Sequence, residues 1–468
     1  MFSIISPQNI LLFLAAYLPF EPFLLKLCPD ALYVVARYLP ELLIYGLVIY
    51  VGILLWQKKI QYRSSPLVIP FVLLLCVASS SMIVNQTPLE VGLLGIRQMI
   101  RFLLVYFIVM LLAPSRAFIQ KFLVILFSVA LFQGLLGIAQ SFIGTSLDTF
   151  LIPSAAKSFA GYQLTQGVQQ FWEAGQRVTG TLGRYDQLGI FLGMILLIIA
   201  ALLYENSKIQ NVKKAIIHNS YFIILAIALL PSFLLSYSRA AWFGTLLGLF
   251  VTGYIINKDK KILYAGLTFL CLGMAYIGYS TVSGKYLIDV PNQNLAQRFF
   301  EAFSYERWKG EYDGLGRLYF AVHTPATVVA SSPLVGVGPG SYGGGAVAAL
   351  HYTVKYDELG LPFGIYGTDG YIDNNWFSLW GELGTLGLIL YFFLIAFIFI
   401  EARQLYRYSE DPLTRSLALA GMGIIVAVSF QALLATYFEV RTVGFYLWLI
   451  AGIVASQKIS NKQFPISN

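Results

Sequence analysis

Charge is scarce in this sequence of 468 residues: 12% of positions are Asp, Glu, Lys or Arg, against 58% that are hydrophobic. That balance excludes a soluble globular protein, whose surface could not hide so much apolar area. Cysteine and histidine are scarcer still, with three of each. Cys28, Cys76 and Cys271 are scattered and odd in number, which excludes a disulfide framework. His218, His323 and His351 stand apart in the chain, so a metal site is not expected. A basic leader and a small-residue cleavage point are also missing around Met1 to Gln8, so no cleaved signal is expected.

Apolar sequence is abundant, in runs of about 20 residues, the length a helix needs to cross a hydrocarbon core. Spans are expected near 8–27, 38–56, 66–84, 92–113, 118–142, 187–204, 220–237, 240–257, 262–280, 379–401, 414–436 and 441–457. The fold class that follows is an all-α multi-pass membrane protein with about 12 transmembrane helices. It divides into helices over 1–280, a long polar insert over 281–378 and further helices over 379–468. Basic residues fall on every second connection, as at Lys58, Lys59 and Arg63, then Arg116 and Lys121, then Lys258, Lys260 and Lys261, then Arg403 and Arg407. Positive residues mark the cytoplasmic side, so both termini are expected inside and the insert outside.

The outer side is unusual in its arginines, which include Arg97, Arg101, Arg177, Arg184, Arg239, Arg298, Arg307, Arg317 and Arg441. Positive charge there works against orientation, while the planar guanidinium fork suits phosphate or diphosphate oxygens. Arg97 and Arg101, four apart, share a helix face; they either meet an anion or snorkel to headgroups. Arg239 stands in a tight outer hairpin beside Trp242, as an anion ligand or an interfacial anchor.

Within the insert, Gly336-Val-Gly-Pro-Gly-Ser-Tyr-Gly-Gly-Gly345 frees the backbone either to aim N–H groups at an anion or simply to turn. Gly338 and Gly340 belong to that run, with Tyr342 beside them. A dinucleotide reading of Gly338-Pro-Gly-Ser-Tyr-Gly343 fails, because no strand–turn–helix context surrounds it. Asp373, next to Asn374 just before apolar sequence resumes, suits a general base or a helix cap. Glu382, inside the apolar boundary, reads as a second acid or as the partner of an outer arginine. Tyr312, Tyr342, Tyr366, Tyr371 and Trp376 offer rings for sugars or for the membrane interface.

Taken in order, Val178-Thr-Gly-Thr181, Ser238-Arg-Ala-Ala-Trp242, Gly316-Arg-Leu318, Ser332-Pro-Leu-Val-Gly-Val-Gly-Pro-Gly-Ser-Tyr342 and Asp373-Asn-Asn-Trp-Phe-Ser-Leu-Trp-Gly-Glu-Leu-Gly-Thr-Leu-Gly387 resemble the O-antigen ligase and polymerase superfamily. The resemblance covers about residues 90–400. It implies a glycosyltransferase C-like fold in the bacterial inner membrane, with a periplasmic active site, an undecaprenyl-pyrophosphate-linked oligosaccharide as substrate, and no cofactor or metal. Membrane lipids and a chain-length regulator are its implied partners, and nucleic acid is not. Two outer arginines bind the donor pyrophosphate in the family, and these correspond to Arg239 and Arg317. The ligases carry a histidine where this chain has Asp373, which favours a polymerase of exopolysaccharide or O-antigen repeat units over a ligase acting on lipid A core. A small-anion transporter is the expectation from another class, but the spans lack midplane charge and the halves lack internal symmetry.

Overall fold

A computed structural model describes residues 6–154, 157–159, 162–163, 176–207, 212–283, 293–364 and 374–460. Helices dominate, since a backbone in lipid must satisfy its own polar groups. In chain order they are α1 (Pro7–Tyr17), α2 (Glu21–Leu27), α3 (Asp30–Trp56), α4 (Val68–Val84), α5 (Leu89–Ile100), α6 (Leu103–Leu112), α7 (Arg116–Ile143) and α8 (Thr145–Leu151). After a two-residue antiparallel ladder, Ser158–Phe159 with Tyr162–Gln163, come α9 (Tyr185–Asn206), α10 (Val212–Leu235), α11 (Arg239–Phe250), which a π turn extends to Ile256, and α12 (Lys260–Ser283). The insert holds α13 (Leu295–Phe300), α14 (Tyr305–Asp313), α15 (Arg317–His323), α16 (Gly344–Leu350) and α17 (Val354–Leu359). Three long helices close the chain: α18 (Asn375–Tyr408), α19 (Pro412–Gln431) and α20 (Arg441–Ser460).

Each of the twelve segments expected to span is helical, but not all are straight or long enough to cross alone. Among the described residues, six helices are long and apolar enough to cross a membrane, and up to eight if each bent pair counts as one span. The first expected span breaks between α1 and α2 with a 78° bend, around Pro19 and Pro22. The fourth bends by 48° between α5 and α6, at Arg101 and Phe102. Helix α4 runs only 17 residues. These helices make the chain a membrane protein.

Among the six helices long and apolar enough to cross a membrane, α9 and α19 are the most enclosed, with 72% of their apolar windows buried against 28% for α3, and α20 is buried throughout Thr442 to Ser456. Around them pack α10, α11, α18 and α20, and α6 lies along α20. One end of the bundle is tied by Arg116 to Asp411 at 2.8 Å, and by Tyr406, whose hydroxyl donates to Glu205 at 2.9 Å and to Asn257 at 2.6 Å. The insert covers the other end. There the segment Val178-Thr-Gly-Thr181 is buried against α7 by two glutamines. The Thr179 and Gly180 amides donate to Gln140 Oε1 at 3.0 and 2.7 Å, and the Thr181 amide donates to Gln133 Oε1 at 2.9 Å. That clamp sets where α9 begins, with Arg184, Tyr185 and Asp186 at its mouth.

Candidate active site: an arginine-lined cavity

Arg239 is the first residue of α11 and Arg317 the first of α15. A positive charge at a helix N-terminus runs against the helix dipole, so neither position serves helix stability. Two residues before each, a non-glycine residue takes a left-handed backbone: Tyr237 (φ 51°) and Leu315 (φ 57°). Local strain of this kind persists where surrounding structure fixes it, and it concentrates at functional sites. Ser238 caps α11, accepting from the Ala241 amide at 3.3 Å; Ser304 caps α14 in the same way, accepting from Arg307.

These turns direct Arg239 and Arg317 into one cavity of about 480 Å³, which Arg298 and Arg307 also line. Its remaining wall is aromatic and apolar, with Tyr185, Tyr237, Phe243, Phe303, Phe430 and Tyr437, and Trp308 also borders it. Two carboxylates organise the guanidiniums. Glu301 lies 3.2 Å from Arg239 Nη1, accepts from Arg298 Nη1 at 2.9 Å and lies 3.9 Å from Arg307. Glu311 pairs with Arg307 and, at 3.2 Å, with Arg317, whose Nε donates to the Leu434 carbonyl. Burial alone would raise the Glu301 carboxyl, but Arg239, Arg298 and Arg307 hold it below the ordinary carboxylate range. Burial and then the nearby Arg177 push the Arg298 guanidinium below its usual value, against the pull of Glu301.

Among the described residues these four guanidiniums share two carboxylates. Asp186, also on the wall, is held by Arg184 in a fork at 3.0 and 3.1 Å. The buried Nη1 of Arg239 makes no hydrogen bond of good geometry, although Glu301 lies within ion-pair distance. Buried donors of this kind call for an acceptor. Space, converging guanidiniums and an unsatisfied donor together suit a bulky dianion.

The structure puts Arg97 and Arg101 elsewhere. Both turn to Glu41 of α3, where Arg97 Nε donates at 2.7 Å and Arg101 Nη1 at 3.0 Å. Arg441 joins them at 3.3 Å and also pairs with Glu21 of α2. The anion that these arginines require is therefore the protein's own. The bend between α5 and α6 makes this possible by placing Arg101 at the end of α5, where its Nη2 also reaches the Glu439 carbonyl at 2.6 Å.

The glycine run has a different task from the one its sequence suggests. Helix α18 is broken at Gly384 (φ 64°, ψ −169°), and the chain before Gly338 lies along the break. The Val337 and Gly338 amides donate to the Gly381 and Glu382 carbonyls at 2.9 and 3.1 Å, and the Thr385 amide donates back to Pro333 at 2.9 Å. A side chain on Gly336 would collide with the Glu382 backbone, and one on Gly384 with Leu334. Downstream amides turn to internal carboxylates. The Gly343 amide donates to Glu382 at 3.0 Å, and Gly345 donates to Glu439 at 2.9 Å. Glu382 is thus held by a backbone amide instead of an arginine, the Gly338 amide has its partner within the protein, and Gly340 packs against Val91 and Gly95 of α5.

Tyr342 is fully buried and bonds Thr324 at 2.7 Å, while Trp376 donates to the Ser429 carbonyl at 2.9 Å, so both rings belong to the packing. Asn374 caps α18, accepting from the Phe377 amide at 3.1 Å, and donates to the Leu433 carbonyl at 2.8 Å. Asp373, Tyr366 and Tyr371 lie outside the described residues. Arg298 and Arg307 stood in the sequence only among the outer arginines. Glu301 and Glu311 went unremarked, although the alternation Arg298, Glu301, Arg307, Glu311, Arg317 was there to find. Asn375, part of the Asp373–Gly387 motif, donates to Glu439 at 3.2 Å, and Glu439 carried no sequence signal.

No protein-family model matches this chain, and no curated protein does.

Proposed function

We propose that the chain is a membrane glycosyltransferase that polymerises oligosaccharide repeat units carried on undecaprenyl pyrophosphate, with the arginine cavity as the seat of the donor diphosphate. The observation that carries this reading is the convergence of four arginines on a cavity of about 480 Å³, where a buried donor of Arg239 has no good acceptor. The twelve helical segments then act as spans of a glycosyltransferase C-like bundle in a bacterial inner membrane. Both termini are cytoplasmic and the cavity opens to the periplasm, as the basic connections indicate.

The chemistry asks little covalent work of the protein. A hydroxyl of the acceptor sugar attacks the anomeric carbon of the donor, a carbon–oxygen bond forms, and the bond to the diphosphate breaks with its electron pair. Arg239, Arg298, Arg307 and Arg317 stabilise the charge that develops on the leaving diphosphate. The hydroxyl proton goes to Asp373, the carboxylate that the sequence offers as base. Its neighbour Asn374 bonds Leu433, and Arg317 bonds the adjacent Leu434, so α18 begins next to the Arg317 end of the cavity.

The test is chain growth by purified protein on lipid-linked repeat units. Arg239→Ala and Arg317→Ala are each expected to abolish lengthening while the protein stays folded. Full activity in either variant refutes the diphosphate role. A single transfer to lipid A core without any ladder of lengths would identify a ligase instead.

A further inference from the structure

Trp308, which borders the cavity, is the first of a row of rings that leads away from it. Trp308 and Tyr312 are four apart on α14 and therefore share a face; both are open to solvent, at 45% and 39%. Tyr319 and His323, four apart on α15, continue the row. Tyr312 lies 5.6 Å from Tyr319, and the Tyr319 and His323 rings stack at 4.1 Å. The polar edges of the first two rings have partners on the protein surface: Trp308 Nε1 donates to the Ala302 carbonyl at 3.0 Å, and the Tyr312 hydroxyl stands 3.5 Å from His323 Nε2.

A membrane-interface anchor has its N–H or O–H among headgroups and water. Here the indole N–H is engaged internally, the ring is fixed, and its face is left open. Fixed aromatic faces suit the C–H faces of pyranose rings, which stack on them with little loss of freedom. On the neighbouring face of the same helix, Arg307 and Glu311 meet in the arginine cluster. A glycan joined to an anion in the cavity therefore has the row of rings along its way out.

We propose that Trp308, Tyr312, Tyr319 and His323 form a saccharide-binding track for the glycan carried by the diphosphate. This rests on the diphosphate reading of the cavity and adds the class of ligand that the neighbouring surface takes. The aromatic residues named from sequence alone shared only Tyr312 with it.

The experiment compares two probes on the full-length protein in nanodiscs: undecaprenyl diphosphate, and the lipid-linked oligosaccharide purified from the membranes of the source cells. The wild type is expected to bind the glycosylated lipid at least about tenfold more tightly. Tyr312→Ala should erase about fivefold of that preference and leave the bare lipid unaffected, whereas Tyr312→Phe keeps the ring and the preference. Trp308→Ala should lower the affinity for the glycosylated lipid further. Equal affinity of the wild type for both lipids, or Tyr312→Ala retaining the full preference, overturns the track. Quenching of Trp308 by brominated lipid and not by the oligosaccharide also overturns it, in favour of a membrane anchor. If neither lipid binds, the diphosphate reading has failed and the track falls with it.

Discussion

Two arginine clusters stand at the insert end of the bundle, and they teach opposite lessons about the same residue. Around Glu41 the cations meet the protein's own carboxylates: Arg97, Arg101 and Arg441 converge on one buried Glu41, and Glu21 takes a further share of Arg441, although Arg101 Nε is left without an acceptor. Around Glu301 and Glu311 four guanidiniums share two carboxylates and line an open volume. Arginine outside the membrane is thus a necessary sign of an anion site and an insufficient one. What separates the clusters is the open volume that the second one lines.

The largest effect that can break this comparison is expected at Glu41. Glu41→Gln leaves three guanidiniums in a buried cluster without their carboxylate, at a cost of about 3–5 kcal/mol. The variant should show a sharply lower melting temperature in detergent; a wild-type melt would mean that the cluster does not hold α3, α5 and α20 together. Next comes Gly336→Ala, which places a side chain against the Glu382 backbone at a left-handed position (φ 72°) and should cost about 2–4 kcal/mol. Unaltered stability there would show that the glycine run does not dock into the break of α18.

Glu301→Gln sharpens the comparison from the other side. It removes one negative charge from the cavity, so binding of undecaprenyl diphosphate should tighten by about tenfold while the melting temperature falls. Weaker binding would make Glu301 part of the anion's own seat. The smallest effect is in pH. Glu301 is held below the ordinary carboxylate range, so its stabilising ion pairs are complete above the unfolded value, near pH 4.3, and are lost as pH falls through the lower folded value. The insert should therefore keep its hydrogen-exchange protection down to about pH 4 and lose it below. Loss beginning near pH 6 would contradict the pairing.

The apolar runs made the helices legible in the sequence, because spacing and length are one-dimensional properties. The bends were not legible. Pro19 marked a weak place in the first span, but nothing local showed that Glu21 would turn inward to Arg441 or that α5 would end at Arg101. The glycine run misled for a related reason. Freedom to turn and closeness to another backbone both select glycine, and only the break at Gly384 shows that closeness decides here. Arg239 and Arg317 were found by resemblance and are joined in one cavity, whereas their counter-ions Glu301 and Glu311 had to be seen in three dimensions.

The most direct measurement is a cryo-EM structure of the protein in nanodiscs with undecaprenyl diphosphate. The account predicts both phosphate groups within hydrogen-bond distance of Arg239 and Arg317, with the Arg239 Nη1 donor satisfied and the Glu41 cluster unchanged. An empty arginine cavity, with the diphosphate held at Glu41 or on the amides of the glycine run, would contradict it.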